Sequence, residues 1–198
     1  MPWRWKGRPK LLKRFFFNNR GTSAVEFGLL ATPFLGIVFA TLEVGYTHFQ
    51  QAALAEAVDQ VARTMAIGSI QNNTSINDAV SFRDTYLCAS NGKRLIPSNF
   101  DCNRLAIDVR PASSLNAINV TNDVYKSASN KFCPGQGGTT VVMRVTYPLP
   151  TIFPVNIFNR SVGLANDVPN RTGWFRILSG SAIFMIEPFG SYVPPSGC

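Results

Sequence analysis

Glu26 sets the chemistry that this chain must solve. It opens an apolar run, and no further charged side chain follows until Glu43. A carboxylate inside hydrocarbon costs about 2.5–3.5 kcal/mol on insertion scales, so it takes a partner or stays at the interface. The run holds no Lys or Arg to serve as that partner. Two placements remain open. In one, Glu26 rests among lipid headgroups, a few residues after Arg20-Gly21-Thr22. In the other, the backbone is cut after Gly21. The new α-amine of Thr22, with an ordinary pKa of about 8, then pairs with Glu26 of its own helix or of a neighbouring chain.

Cys88, Cys102, Cys133 and Cys198 are the other reactive side chains. None stands in a CxxC pair and His48 is the only histidine, so no zinc ligand set is present and no cofactor is expected. An even number of cysteines beyond a membrane span reads as two disulfides in an oxidising compartment. Of the three pairings, Cys88–Cys102 is favoured because the short loop closes easily, leaving Cys133–Cys198 to fasten the Pro-rich tail. The acids are scattered, so no constellation of nucleophile, base or metal ligand argues for an enzyme.

These groups need elements to hold them. About 20 residues of helix cross a bilayer core, and Val25 to Tyr46 is long enough if Glu43 sits near an interface. Seven of the 19 basic residues (Arg4, Lys6, Arg8, Lys10, Lys13, Arg14 and Arg20) lie in the first 21 positions, leaving twelve against 11 acidic residues in the rest. The formal net charge of +8 is therefore the charge of a leader that flanks the span on one side. Basic flanks stay cytoplasmic, so everything after Tyr46 is exported. Trp3, Trp5 and Phe15-Phe16-Phe17 suit the headgroup layer. With no basic stripe left on the folded part, nucleic acid is excluded as a partner.

The helix starts near Thr22 or Ser23, both fair caps, and Pro33 inside it predicts a kink. Ala24, Gly28, Thr32, Gly36 and Ala40 recur every fourth residue. Such small-residue ridges let helix backbones approach closely in lipid. Beyond the span, Leu54, Val58, Val61 and Met65 fall on one side of a continuing helix, with Glu56, Asp59, Gln60 and Arg63 on another. Gly68-Ser69 marks the end. A helix over 22–67 would be about 70 Å long, half in lipid and half in water.

Asn77 is placed to cap a short helix holding Ala79, Val80, Phe82, Tyr86 and Leu87. Three alternating stretches follow: Leu105–Val109, Val141–Tyr147 and Ser181–Glu187. Gly135–Gly138, Pro148, Pro150 and Pro154 read as loops. The sequons at Asn72, Asn73, Asn119, Asn159 and Asn170 are what an Asn-rich chain gives by chance. The fold class expected is α+β: a long N-terminal helix, half transmembrane and half amphipathic, carrying a small antiparallel β-rich exported domain. The organisation expected is a basic cytoplasmic leader over 1–21, the helix over 22–67 with its span at about 25–46, and the exported domain over 68–198.

Gly21, then four residues, then Glu26 and Phe27 ahead of an apolar helix resembles the prepilin-peptidase site of type IV pilins. The Glu-aromatic pair takes the form found in tight-adherence (Tad) pili. Gly21–Phe27, the span with Pro33, and Ala52–Arg63 together resemble the TadE-like family of minor pilins and pseudopilins. A late strand ending in Ile186-Glu187-Pro188-Phe189 is similar, less specifically, to the Glu-Pro ending of some members. The resemblance covers 20–67 and implies cleavage between Gly21 and Thr22, recognition and assembly through Glu26 and Phe27, and residence in a bacterial inner membrane. It makes that a single pass with the exported part periplasmic. Implied partners are the membrane, a prepilin peptidase, other pilin or pseudopilin subunits and Tad assembly proteins. The rivals are an uncleaved bitopic binding or adhesion protein, an anchored enzyme, and a secretory protein cut near Ala53-Leu54-Ala55. That last site lies too far past the apolar run for an ordinary signal peptide.

Overall fold

A computed structural model describes residues 22–73, 75–89, 94–112, 131–151, 156–157, 160–161, 174–188, 192 and 198. The basic leader with Gly21, the sequons at Asn119, Asn159 and Asn170, Pro154 and Phe189 lie outside the described residues. The chain divides into two compact units, Met1–Leu42 and Glu43–Cys198, and the division falls inside one helix, α1 (Thr22–Ala66).

In the first unit α1 continues through Pro33. In the second unit its remaining turns carry the apolar stripe, and Leu54, Val58, Val61 and Met65 are each at most 1% exposed. Burying four such side chains stabilises by roughly 1.5–3 kcal/mol apiece before the entropy of ordering is charged. On the wet side an exposed ion pair joins Arg63 to Asp59 at 2.7 Å. Gly68, at φ 76°, takes the left-handed conformation that closes a helix without a Cβ penalty, and its N–H donates to the Met65 carbonyl.

The second unit has a four-stranded sheet in the order β2-β1-β3-β6, with β1 (Ala106–Ala112), β2 (Lys131–Phe132), β3 (Thr140–Pro150) and β6 (Phe175–Met185). A separate hairpin pairs β4 (Asn156–Ile157) with β5 (Arg160–Ser161). The long strands β1, β3 and β6 pair antiparallel, while the short β2 joins β1 parallel, so the sheet is mixed. Its core face carries Ile107, Val109, Val141, Met143, Val145, Tyr147 and Leu178, all buried, in one cluster with the α1 stripe.

Three local expectations need correction. The cap of the short helix α2 (Ala79–Phe82) is Asp78, not Asn77. The Asp78 carboxylate accepts from the Ser81 N–H at 2.8 Å and the Ser81 hydroxyl accepts from the Asp78 N–H, a reciprocal box that Asn77 is one residue too early to form. The Ser81 hydroxyl, then its amide, hold the Asp78 carboxyl below the usual range. From Arg83 to Leu87 the turns widen to a π-helix.

The third strand begins at Phe175, six residues before the stretch expected, because Gly180 interrupts the apolar alternation that marks a strand in sequence. Pro148 and Pro150 lie inside β3 instead of in a loop. The Thr151 N–H donates to Trp174, which sets the odd-numbered amides of β3 towards β6. The two prolines therefore face the other side, where β1 has already ended at Ala106 opposite Thr146, and no ladder donor is lost.

Gly180 is where helix and sheet meet. A Cβ built there would lie 2.7 Å from Val58 Cγ2 and 3.2 Å from the Leu54 carbonyl oxygen. The contact is flanked by polar ties. Gln51 Nε2 donates to the Ser179 carbonyl at 2.8 Å and the Ser179 N–H donates to Gln51 Oε1 at 3.2 Å. At the far end of α1 the Glu187 N–H donates to the Ala66 carbonyl at 2.8 Å. Two cysteine pairs are bonded, Cys88 to Cys102 and Cys133 to Cys198. We expect Gly180→Val to destabilise the folded unit by about 1–3 kcal/mol, since the helix backbone itself must retreat. A urea midpoint of the full chain in detergent that is unchanged by the substitution would show that α1 does not press on this strand.

Candidate functional site

The residues singled out from the sequence lie on the first turns of α1. An apolar surround obliges the backbone to satisfy its own polar groups, which favours a helix despite the glycines and β-branched residues, and the missing Pro33 donor costs the Leu29 carbonyl its partner without ending the helix. The surface of this unit is apolar on all sides. Phe27, Leu30, Phe34 and Ile37 are each 65% exposed or more, and within the most apolar stretch of the helix no residue is buried. A surface of this kind is untenable in water and marks a membrane or partner-helix contact. By length and composition α1 can cross a bilayer.

Its hydroxyls are compatible with that solvent. Thr32 Oγ1 donates to the Gly28 carbonyl and Thr41 Oγ1 to the Ile37 carbonyl, both at 2.8 Å, so neither hydroxyl needs water. Ala24, Gly28, Thr32, Gly36 and Ala40 are all exposed, and the space beside Gly28 and Gly36 is open to at least 4 Å. Residues four apart form a row inclined to the helix axis, so a helix seated on it crosses at about −40° instead of lying parallel. Glu26 is exposed one turn after Thr22, and Phe27 beside it is 73% exposed. One helix thus carries Thr22, Glu26, Phe27 and the ridge, whereas the four cysteines belong to the second unit.

The second unit opens with an aromatic collar. Tyr46 and Phe49 are exposed, and Tyr46 Oη accepts from Asn99 Nδ2 at 3.1 Å. A tyrosine with an apolar ring and a fixed hydroxyl suits a headgroup layer. Sequence gave no sign of the Tyr46–Asn99 and Gln51–Ser179 ties, because each joins residues far apart in the chain. Gly180 carried a weak signal, as a lone glycine inside an apolar alternating stretch. Among the described residues, no three His, Cys, Asp or Glu side chains converge on a metal site.

In a comparison with protein families, residues 21–63 match the family described as TadE-like protein. The match covers α1 almost to its end and stops short of the sheet. Comparisons with curated proteins and with solved structures find no match. If α1 is inserted over its apolar unit, Phe34→Cys in lipid vesicles should resist a membrane-impermeant maleimide until detergent is added, while Glu56→Cys reacts at once. Equal labelling of the two before detergent would place this surface in water.

Proposed function

We propose that this chain is a membrane-anchored minor pilin or pseudopilin that acts in assembly of a tight-adherence pilus. The observation that carries the reading is the coincidence of the TadE-like match with a helix whose apolar surface is wholly uncovered. The leader with its seven cations stays cytoplasmic, and the unit from Glu43 onward is exported to the periplasm. At the cytoplasmic face a prepilin peptidase hydrolyses the Gly21–Thr22 bond. Water adds across it, leaving a carboxylate on Gly21 and an ammonium group on Thr22.

Each part of the helix then has one task. The span holds the subunit in the inner membrane. The ridge from Ala24 to Ala40 offers a close approach to neighbouring helices, where lipid supplies no hydrophobic drive. Glu26 and the Thr22 ammonium of a neighbour cancel each other's charge as subunits meet. The bulk of the exported unit, with its own sheet and two disulfides, suits a priming or tip subunit better than the repeating body of a filament. In this role the chain is structural and carries no catalytic group of its own.

Intact mass decides the first step. The mature chain should begin at Thr22, and Gly21→Val, which crowds the scissile backbone with a β-branched side chain, should keep its leader and fail to assemble. A wild-type chain beginning at Met1 would instead indicate an uncleaved anchored binding protein.

Glu26→Gln tests the charge pair. A neutral amide inserts more readily than a carboxylate, so membrane fractionation and processing should stay normal. Assembly should fail, because a neighbour's ammonium is buried without its counter-ion at a cost of several kcal/mol. Retention of the leader would assign Glu26 to peptidase recognition, and full piliation would show that there is no charge pair.

A further inference from the structure

We infer that the end of the second unit that carries Glu43 rests on the phospholipid headgroups of the bilayer crossed by its own helix, through an aromatic and basic rim made by three segments. Leu42 and Glu43 are joined by a peptide bond inside α1, so this end, and not the end at Ala66, is held at the lipid whatever the angle between the two units. The first turns past Glu43 keep the apolar exposure of the span: Val44 is 47% exposed, Tyr46 44% and Phe49 66%. From Glu43 to Phe49 the helix rises about 9 Å, and a helical side chain leans back towards the N-terminus. A headgroup layer is about 5–7 Å thick on each side of the hydrocarbon core. The rings of Tyr46 and Phe49 are within its reach.

The sheet reaches the same level. Within the second unit α1 and β6 run side by side, tied by Gln51 Nε2 donating to the Ser179 carbonyl and by the Glu187 N–H donating to the Ala66 carbonyl. Between those ties the helix rises about 22 Å and the extended chain about 26 Å, so the two are close to parallel. Counted back from the Gln51–Ser179 tie, Glu43 is about 12 Å away along the helix. Arg176 and Trp174 are about 10 and 17 Å away along the strand. The β3–β6 end therefore lies level with Glu43. Thr151 closes it, its N–H and Oγ1 both donating to the Trp174 carbonyl, at 3.2 and 3.0 Å. A third segment arrives at Tyr46, whose Oη accepts from Asn99 in the turn after Pro97.

The residues gathered there are those a headgroup layer favours. Trp174, the one tryptophan after the leader, is partly exposed at the rim, with Arg176 two residues on. Arg176 shares the parity of Leu178 and Gly180, on the sheet face turned to α1. Across 94–100, 147–151 and 174–179 the charged residues are Arg94 and Arg176, and no acid occurs. Rings with an apolar body and a polar edge settle at the interface, and guanidinium groups pair with phosphate. At the opposite end of β6 stands exposed Glu187, a carboxylate that phosphate repels. Position names the occupant, since headgroups are what surround a chain where its span ends. The inference rests on α1 crossing a bilayer and not on any role in a pilus.

The test uses the full chain with Trp3→Phe and Trp5→Phe, so that Trp174 alone emits. It is placed in phosphatidylcholine vesicles whose lipid is brominated near the headgroup end of one acyl chain. Insertion is checked first. Trp174 fluorescence should then fall at least about twofold against vesicles of unbrominated lipid. In a chain that also carries Trp174→Phe and Glu187→Trp, the new indole at the far end of β6 should keep its fluorescence. Phe49→Ser combined with Arg176→Gln should restore at least half of the lost Trp174 signal while insertion stays intact. If the double variant unfolds, Phe49→Ser alone, at a position that is already exposed, carries the test.

An inserted chain whose Trp174 is not quenched would overturn the contact and leave the anchoring in place. A chain that does not insert would overturn both. Equal quenching at positions 174 and 187 would lay the whole unit on the lipid, and quenching unmoved by the variants would reduce the contact to the tether; either result overturns the rim. None of these signals depends on leader cleavage or piliation, so failure of the pilin assignment and failure of the lipid contact remain distinguishable.

Discussion

The missing side chain at Gly180 lets the backbone of α1 settle directly on β6, and the second unit depends on that approach. A methyl group there would meet Val58 and the Leu54 carbonyl. Close seating brings Leu54, Val58, Val61 and Met65 into the same buried cluster as β1 and β3, so one helix face and one sheet face make a single core. It also brings polar groups within reach at both ends, Gln51 at Ser179 and Ala66 at Glu187. Hydrogen bonds of this kind contribute about 1 kcal/mol each, less than the apolar stripe, but they fix the helix lengthwise in a way that non-directional packing does not. The disulfides act elsewhere. Cys88–Cys102 closes a short loop that holds Phe100, whose ring packs tilted at 50° against Tyr147, and Cys133–Cys198 ties Cys198 near β2.

The first unit follows a different rule. Its side chains face outward on all sides, and its threonines give their hydroxyls to carbonyls one turn back. Such bonding serves in either solvent, since Thr64 makes the same bond on the water-facing turns, but only in lipid is it indispensable. It is the uncovered apolar surface that suits a solvent other than water. The small-residue row is the part of it proposed to meet protein. Where an Ala or Gly stands every fourth residue, lipid chains gain nothing over another helix, while a second backbone gains close contact.

What was legible in the sequence follows from the range of the forces involved. The α+β class, the long helix, its buried stripe and the three main strands are written in periodicity, which is local. The resemblance to the TadE-like family was legible because Gly21, Glu26, Phe27 and the apolar run lie within one short segment, the one that the family match covers. The Asp78 cap was misassigned to its neighbour because Asn and Asp cap equally well, and only the position of Ser81 separates them. The strand positions of Pro148 and Pro150 were hidden because whether a proline harms a strand depends on which side still has a neighbour. Gln51–Ser179 and Tyr46–Asn99 join residues with no local signal at all.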